Sequence, residues 1–203
     1  MKTFSSYSIK AVKETFQLEI RRNLLFENLA VVEPGALLLE NLERSKLVSL
    51  RTEKALSELV IAPVLMEIVY RNRELITLFS GESLDVDRDR GLIGEYDFAL
   101  SLNPDTYLLE APIFALVEAK KQDIEARIPQ CIAQMVGADI WNNREGHPLD
   151  AVFGCVTTGN EWLFLKLQGN QIFINNTSYF IDNVPVLLGA LQSVVNHFRK
   201  NHE

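Results

Sequence analysis

The chain has 203 residues, of which 47% are apolar and 23% charged, enough for one large globular domain. With a formal net charge of −7, the chain as a whole lacks the basic excess that is typical of nucleic-acid binders. No apolar run approaches the roughly 20 residues of a membrane helix, and residues 1–16 lack the apolar block of a secretory signal. Cys131 and Cys155 stand far apart in apolar segments, so we expect reduced, buried thiols and a cytoplasmic protein without membrane contact.

Two loose clusters of basic residues interrupt the acidic composition. One lies within residues 10–22 and the other within residues 44–54. Solvated helix faces commonly have such charges, and we interpret both clusters in this way.

Helical patterns dominate the first third of the chain. Residues 8–18 have helical spacing, and Pro34 precedes a second, short helix, since proline fits a first turn. A longer helix is predicted from Thr52 to Asn72, with apolar residues on nearly every face, which indicates burial on several sides. Pro63 lies inside this helix, and we expect it to introduce a kink.

Strand patterns follow, separated by turns rich in Asp, Asn and Gly. Four β-like runs come first: LITLFSG, SLDVD, EYDFALSL and PIFALVEA. A helix from Ile124 to about Asn143 separates them from three more strands, AVFGCVTT, EWLFLKL and QIFINN, and an amphipathic helix closes the chain. This order predicts a mixed α/β domain around one sheet. Residues 1–50 would form a helical extension packed on a core domain of residues 51–203.

The stretch PIFALVEAKK, residues 112–121, ends an apolar strand on charged residues. Side chains alternate along a strand, so Glu118 and Lys120 point to one face and Lys121 to the other. The preceding strand contains one acid, Asp97, between aromatic residues, and adjacent strands would bring it beside Glu118. Two carboxylates and a lysine at a strand end form either a salt bridge or a Mg²⁺ site in which Lys120 orients a water or offsets charge on a phosphate. The residue chemistry alone leaves both interpretations open.

The arrangement of these residues resembles that of the PD-(D/E)XK nuclease superfamily, which has the restriction-endonuclease-like fold. In chain order it comprises Asp97, the tripeptide Glu118-Ala119-Lys120, and a helix with Gln130 and Gln134. The segments SELVIAPVLMEI and AVFGCVTTGNEWLFLKL are also similar to parts of the nuclease domains of type I restriction enzymes. The resemblance covers about residues 50–175 and departs from the motif at Tyr96, which stands in place of the proline.

This resemblance implies a restriction-endonuclease-like mixed central sheet flanked by helices, and a divalent-metal-dependent DNA endonuclease. Asp97 and Glu118 would bind Mg²⁺ or Mn²⁺, and Lys120 would assist the attacking water. A glutamate from the upstream helix would complete the metal site, and we expect Glu58 in that role. Gln130, from the following helix, would position a water or contact the nucleic-acid backbone.

Other residues compete for the last two roles. Glu58 and Glu67 are nine residues apart, which at about 100° per residue places them on opposite sides of the helix. We prefer Glu58 because its half of the helix looks more buried, and we assign Glu53 to a first turn where the helix dipole favours an acid. Gln134 shares a helix face with Gln130 but lies further from the predicted sheet edge.

Two alternatives to an active nuclease remain. One is a catalytically inactive member of the same fold that acts as a binding or assembly module, which the net acidity favours because DNA phosphates require local positive charge. The other is an unrelated α/β domain with an accidental Glu-x-Lys. An active stand-alone nuclease would need a homodimer or a partner subunit to cut both strands, so we expect self-association.

Overall fold

The computed structural model describes residues 2–104 and 106–199, and six α-helices are found in these residues. They are α1 (Ile9–Phe16), α2 (Ala36–Ser45), α3 (Glu53–Leu56), α4 (Ala62–Arg71), α5 (Ile124–Arg144) and α6 (Val184–Arg199). None of the helices in the described ranges is long and apolar enough to cross a membrane.

Eight strands form one mixed sheet. They are β1 (Glu19–Asn23), β2 (Thr77–Asp87), β3 (Leu92–Ser101), β4 (Ile113–Ala119), β5 (Val152–Thr157), β6 (Glu161–Gln168), β7 (Gln171–Asn175) and β8 (Tyr179–Phe180). The strand order is β1-β7-β6-β5-β4-β3-β2, and β8 pairs with β6. β4 pairs in parallel with β5, and β1 in parallel with β7, whereas the other neighbours are antiparallel. The carboxyl ends of β1, β4, β5 and β7 therefore lie along the same edge of the sheet.

The prediction of a mixed α/β domain around one sheet is confirmed. The runs LITLFSG and SLDVD belong to a single long strand, β2. Strand β1 lies within residues 1–50, for which the sequence predicted a helical extension and no strand. Its residues, EIRRN, are mostly polar and exposed at the edge of the sheet, so they lack the apolar alternation that marks a strand.

The helix predicted from Thr52 to Asn72 changes its helical pitch before Pro63, the residue at which we expected a kink. Thr52 caps α3 by accepting a hydrogen bond from the Ala55 N–H at 3.1 Å. A π-helical segment, Ser57–Ile61, then joins α3 to α4, with helical backbone at both junctions. Pro63 lies in the first turn of α4, directly after this segment, where its missing N–H is accommodated.

Helices cover both faces of the sheet. α1 and α5 pack on one face, and α2, α4 and α6 pack on the other. Cys131 and Cys155 are both buried and free, as expected. α5 can approach β5 closely because residue 154 is glycine: a Cβ there would lie 2.5 Å from the Met135 Sδ and 2.7 Å from the Cys131 Sγ. This close contact fixes the distance between α5 and the centre of the sheet.

Candidate active site

The antiparallel pairing of β3 and β4 brings Asp97 beside Glu118. The ladder joins Phe98 to Val117, so Asp97 and Glu118 are the next opposed residues towards the carboxyl end of β4. At this point the Asp97 side chain takes the place of a backbone hydrogen bond between β3 and β4. Its Oδ2 accepts a hydrogen bond from the Ala119 N–H at 2.7 Å. The two carboxylates expected on adjacent strands are thus neighbours in the structure.

Glu118 is a buried carboxylate with a small set of polar partners. Its side chain is 2% exposed, and its Oε2 accepts a hydrogen bond from the Gln134 Nε2 at 2.9 Å. Burial is the main cause that raises its pKa from 4.5 to about 7, and the neighbouring Asp97 raises it further. The Gln134 hydrogen bond and the charge of Lys120 oppose this rise. Near neutral pH, Glu118 therefore favours a proton or an added cation.

Asp97 is half-buried and subject to the same opposing effects. Burial raises its pKa, whereas the Ala119 N–H and the Lys120 ammonium lower it. The charges of Glu53 and Glu95 raise the pKa of Asp97 again. Negative charge in this cluster exceeds what the single lysine compensates.

Lys120 lies between two glutamates. Its Nζ is 3.1 Å from the Glu53 Oε2 and 3.6 Å from the Glu118 Oε1, and its side chain is only 15% exposed. The backbone N–H of Lys120 donates a hydrogen bond to the Thr157 carbonyl at 2.8 Å, and this bond extends the pairing of β4 with β5. Lys121, predicted to point away, is exposed to solvent.

Of the upstream glutamates, Glu53 contacts Lys120, whereas the predicted Glu58 lines the adjoining cleft together with Asp97. The preference for Glu58 rested on burial, but its side chain is 60% exposed and pairs with Lys54 at 3.8 Å. Glu67 accepts hydrogen bonds from the Gly35 N–H at 3.0 Å and from Arg71, and so ties α4 to the start of α2. The sequence does not reveal that Glu53, in the first turn of α3, reaches Lys120 at the end of β4.

Gln134 contacts Glu118, whereas Gln130, which the sequence favoured for a contact with a water or the nucleic-acid backbone, does not. Gln130 accepts a hydrogen bond from Arg127 at 3.3 Å and is partly exposed. Four residues of helix separate the two glutamines by about 6 Å along the axis. The contact of Gln130 with a water or the nucleic-acid backbone stays a prediction.

An open cleft with a volume of about 290 Å³ adjoins the cluster. Its charged lining residues are Glu53, Lys54, Glu58, Glu95 and Asp97. Because four of these five residues are acidic, the cleft attracts cations and repels free phosphate.

The donor set fits a hard divalent cation. Among residues 2–104 and 106–199, no three His, Cys, Asp or Glu side chains are close enough to form a metal centre by themselves. Mg²⁺, however, keeps several waters and is often bound through one or two carboxylates. Asp97 and Glu118 supply two, and the pKa of Glu118, raised chiefly by burial and further by Asp97, shows that its surroundings disfavour an uncompensated negative charge.

Neither protein-family models nor curated proteins match this chain. The resemblance to PD-(D/E)XK nucleases consequently depends on the order of the elements and on a few side chains. Asp97, Glu118 and Lys120 are the central ones, and function is inferred from their geometry.

Proposed function

We propose that the protein is a divalent-metal-dependent DNA endonuclease of the PD-(D/E)XK type, with a restriction-endonuclease-like fold. The observation that supports this most strongly is the convergence of Asp97, Glu118 and Lys120 at one end of two paired strands, beside an open cleft. A mixed central sheet with helices on both faces agrees with the proposed fold.

Asp97 and Glu118 would hold the cation. Bound Mg²⁺ or Mn²⁺ would supply Lewis-acid polarisation of a phosphate and a water of lowered pKa. Gln134 fixes the orientation of the Glu118 carboxylate through one oxygen, and the Ala119 N–H fixes Asp97 in the same way. Each carboxylate is therefore held in place by one bond and keeps lone pairs for a ligand.

Lys120 would handle the water or the phosphate. An ammonium group can donate three hydrogen bonds, of which Lys120 donates one to Glu53, whereas Glu118 at 3.6 Å is an ion-pair partner only. The remaining donors are available for a water or a phosphate oxygen, where they would offset developing negative charge. Glu53, which lines the cleft, would then act as a positioning residue that holds the ammonium of Lys120.

The proposal is tested by DNA cleavage in Mg²⁺ and in Mn²⁺. The wild type, Asp97→Asn and Lys120→Ala are compared on duplex and single-stranded DNA, with Lys10→Ala as a surface control. We expect both site variants to lose at least about 100-fold in rate, as is usual when a charge-stabilising group is removed, and the control to retain activity. Equal cleavage by all four proteins would refute the mechanism.

A catalytically inactive binding or assembly module of the same fold is the second candidate. A groove between α2 and α4, with a volume of about 890 Å³, favours it because its lining includes the exposed side chains of Leu37, Met66 and Tyr70. Exposed apolar patches commonly mark protein contacts. Absence of both cleavage and metal binding in a protein that forms a stable oligomer would support this candidate over the first.

A further inference from the structure

Basic residues occur in the chain segments next to the acidic cleft, and one of them, Lys54, lines it. Arg51 precedes and Lys54 follows Glu53, the glutamate that contacts Lys120. On the α5 side, Lys121 follows Lys120 along the chain, and Arg127 is close enough to Glu118 to lower the pKa of that carboxyl. We refer to Arg51, Lys54, Lys121 and Arg127 as the basic rim.

The charges of the rim have few ionic partners. Several basic residues elsewhere pair with an acid three or four positions away, as for Lys10, Arg44, Lys46, Arg71, Arg88 and Arg90. In the rim, Lys54 has only an exposed partner at 3.8 Å, which stabilises little. For the described residues, Arg51, Lys121 and Arg127 take part in no salt bridge, and Arg127 donates only to a neutral glutamine.

The acids nearest to Lys121 and Arg127 in the chain have other contacts. Asp123 caps α5 by accepting a hydrogen bond from the Ala126 N–H at 3.0 Å. Glu125 lies 3.9 Å from Arg22, at the end of β1. The cations at the start of α5 are therefore available to a ligand, and the positive end of the α5 dipole adds to their field.

We propose that the basic rim binds the backbone phosphates of DNA on both sides of the acidic cleft. Arg51 and Lys54 would contact the strand on the α3 side, and Lys121 and Arg127 on the α5 side. This inference rests on the proposed nuclease function, and it names the surface that would hold the substrate. It also explains how a chain of net charge −7 presents positive charge locally.

The distribution of charge requires that the flanking phosphates lie at the rim and not in the cleft. Glu53, Glu58, Glu95 and Asp97 face the cleft and repel a phosphate within about 10 Å at 0.1 M salt. Each phosphate neutralised on duplex DNA contributes about −0.9 to the slope of log K against log salt concentration. The three unpaired rim cations should thus account for a slope of about −3.

The test compares two triple variants of equal net charge. The rim variant is Arg51→Gln/Lys121→Gln/Arg127→Gln, and the control, Lys10→Gln/Arg73→Gln/Arg88→Gln, removes cations from other surfaces. Binding of a fluorescein-labelled duplex is followed by anisotropy in EDTA, which prevents metal-dependent cleavage, over a series of salt concentrations.

We expect the rim variant to bind at least about 10-fold more weakly than wild type at 0.1 M salt, with a slope reduced by about 3. The control should remain within about 2-fold of wild type. Equal loss in both variants, or no salt-dependent binding by the wild type, would overturn the proposal. Lys121→Gln alone, at an exposed position, should reduce the slope by about 1 and serves if the triple variant does not fold.

Cleavage in Mg²⁺ separates this inference from the nuclease proposal. Rim-dependent binding without cleavage by the wild type would contradict the nuclease function and leave the rim in place. If the rim variant cleaves DNA with the KM and kcat of wild type, the proposed DNA-binding role of the rim is wrong, whereas the nuclease proposal stands. If both proposals hold, the rim variant has a raised KM.

Discussion

The Glu118 side chain places a carboxylate where its surroundings disfavour negative charge. The rise of its pKa from 4.5 to about 7 corresponds to about 3 kcal/mol between the two protonation states. The pKa of Glu118 is higher in the folded than in the unfolded protein. Its contribution to the free energy of unfolding is therefore complete at pH values below 4.5 and is lost as the pH rises through 7.

We therefore expect Glu118→Gln to stabilise the metal-free protein at alkaline pH. Urea unfolding in EDTA should show the advantage of the variant over wild type growing by about 2 kcal/mol between pH 5 and pH 8. Removing the charge removes the desolvation cost, whereas the Gln134 contact can be kept by an amide. If the difference in the free energy of unfolding between variant and wild type does not change with pH, the pKa of Glu118 is not raised by folding.

Substitutions of the two glutamines of α5, Gln134 and Gln130, form a matched pair that tests the surroundings of Glu118. Gln134→Leu removes the hydrogen bond that lowers the pKa of Glu118, so this pKa should rise further. In calorimetric titrations with Mn²⁺, the pH at which binding is half-maximal should move upward, by up to about one unit. Gln130→Leu, on the same helix face one turn away, should leave the midpoint unchanged. Equal shifts would assign the effect to the helix surface and not to the contact with Glu118.

At the level of helices and strands, the sequence revealed strand pairs and helix order but not how one element is offset against another. Alternation in EYDFALSL and PIFALVEA was enough to place Asp97 next to Glu118, because neighbouring strands pair residue by residue. Helix positions are set by packing, so the sequence alone did not show that Glu53 contacts Lys120 and Gln134 contacts Glu118. The π-helical segment also shifts the helical phase between Glu53 and Glu67, which a uniform 100° per residue cannot anticipate.

The close contact of Gly154 in β5 with Cys131 and Met135 fixes the position of α5. A methyl group at residue 154 would clash with Cys131 and Met135, so Gly154→Ala should push α5 away from β5. We expect a loss of about 1–3 kcal/mol in the free energy of unfolding, as for other overpacked cores, measured by urea denaturation. In a Cys131→Ala background the loss should be smaller, since one of the two obstacles is gone. An unchanged midpoint would contradict this account of the helix contact.

For the whole molecule, the proposed cleavage of both strands of a duplex would require two sites. The exposed apolar groove between α2 and α4 is a surface on which a second copy could pack. We predict a homodimer in sedimentation velocity at about 50 µM, which Leu37→Glu/Met66→Glu converts to monomer by placing charge in the groove. Lys10→Glu/Arg88→Glu, also on the surface, should leave the dimer intact. A wild type that sediments as a monomer would contradict this prediction.

The position of a bound cation tests the central claim most directly. Crystals grown with Mn²⁺ at pH 8, where Glu118 is ionised, are measured at a wavelength at which manganese scatters anomalously. We predict a peak between the carboxylates of Asp97 and Glu118, with metal–oxygen distances of about 2.0–2.2 Å, that is lost in Asp97→Asn. Lack of a peak at these carboxylates in the wild type, or Mn²⁺ bound elsewhere, would contradict the proposed metal site.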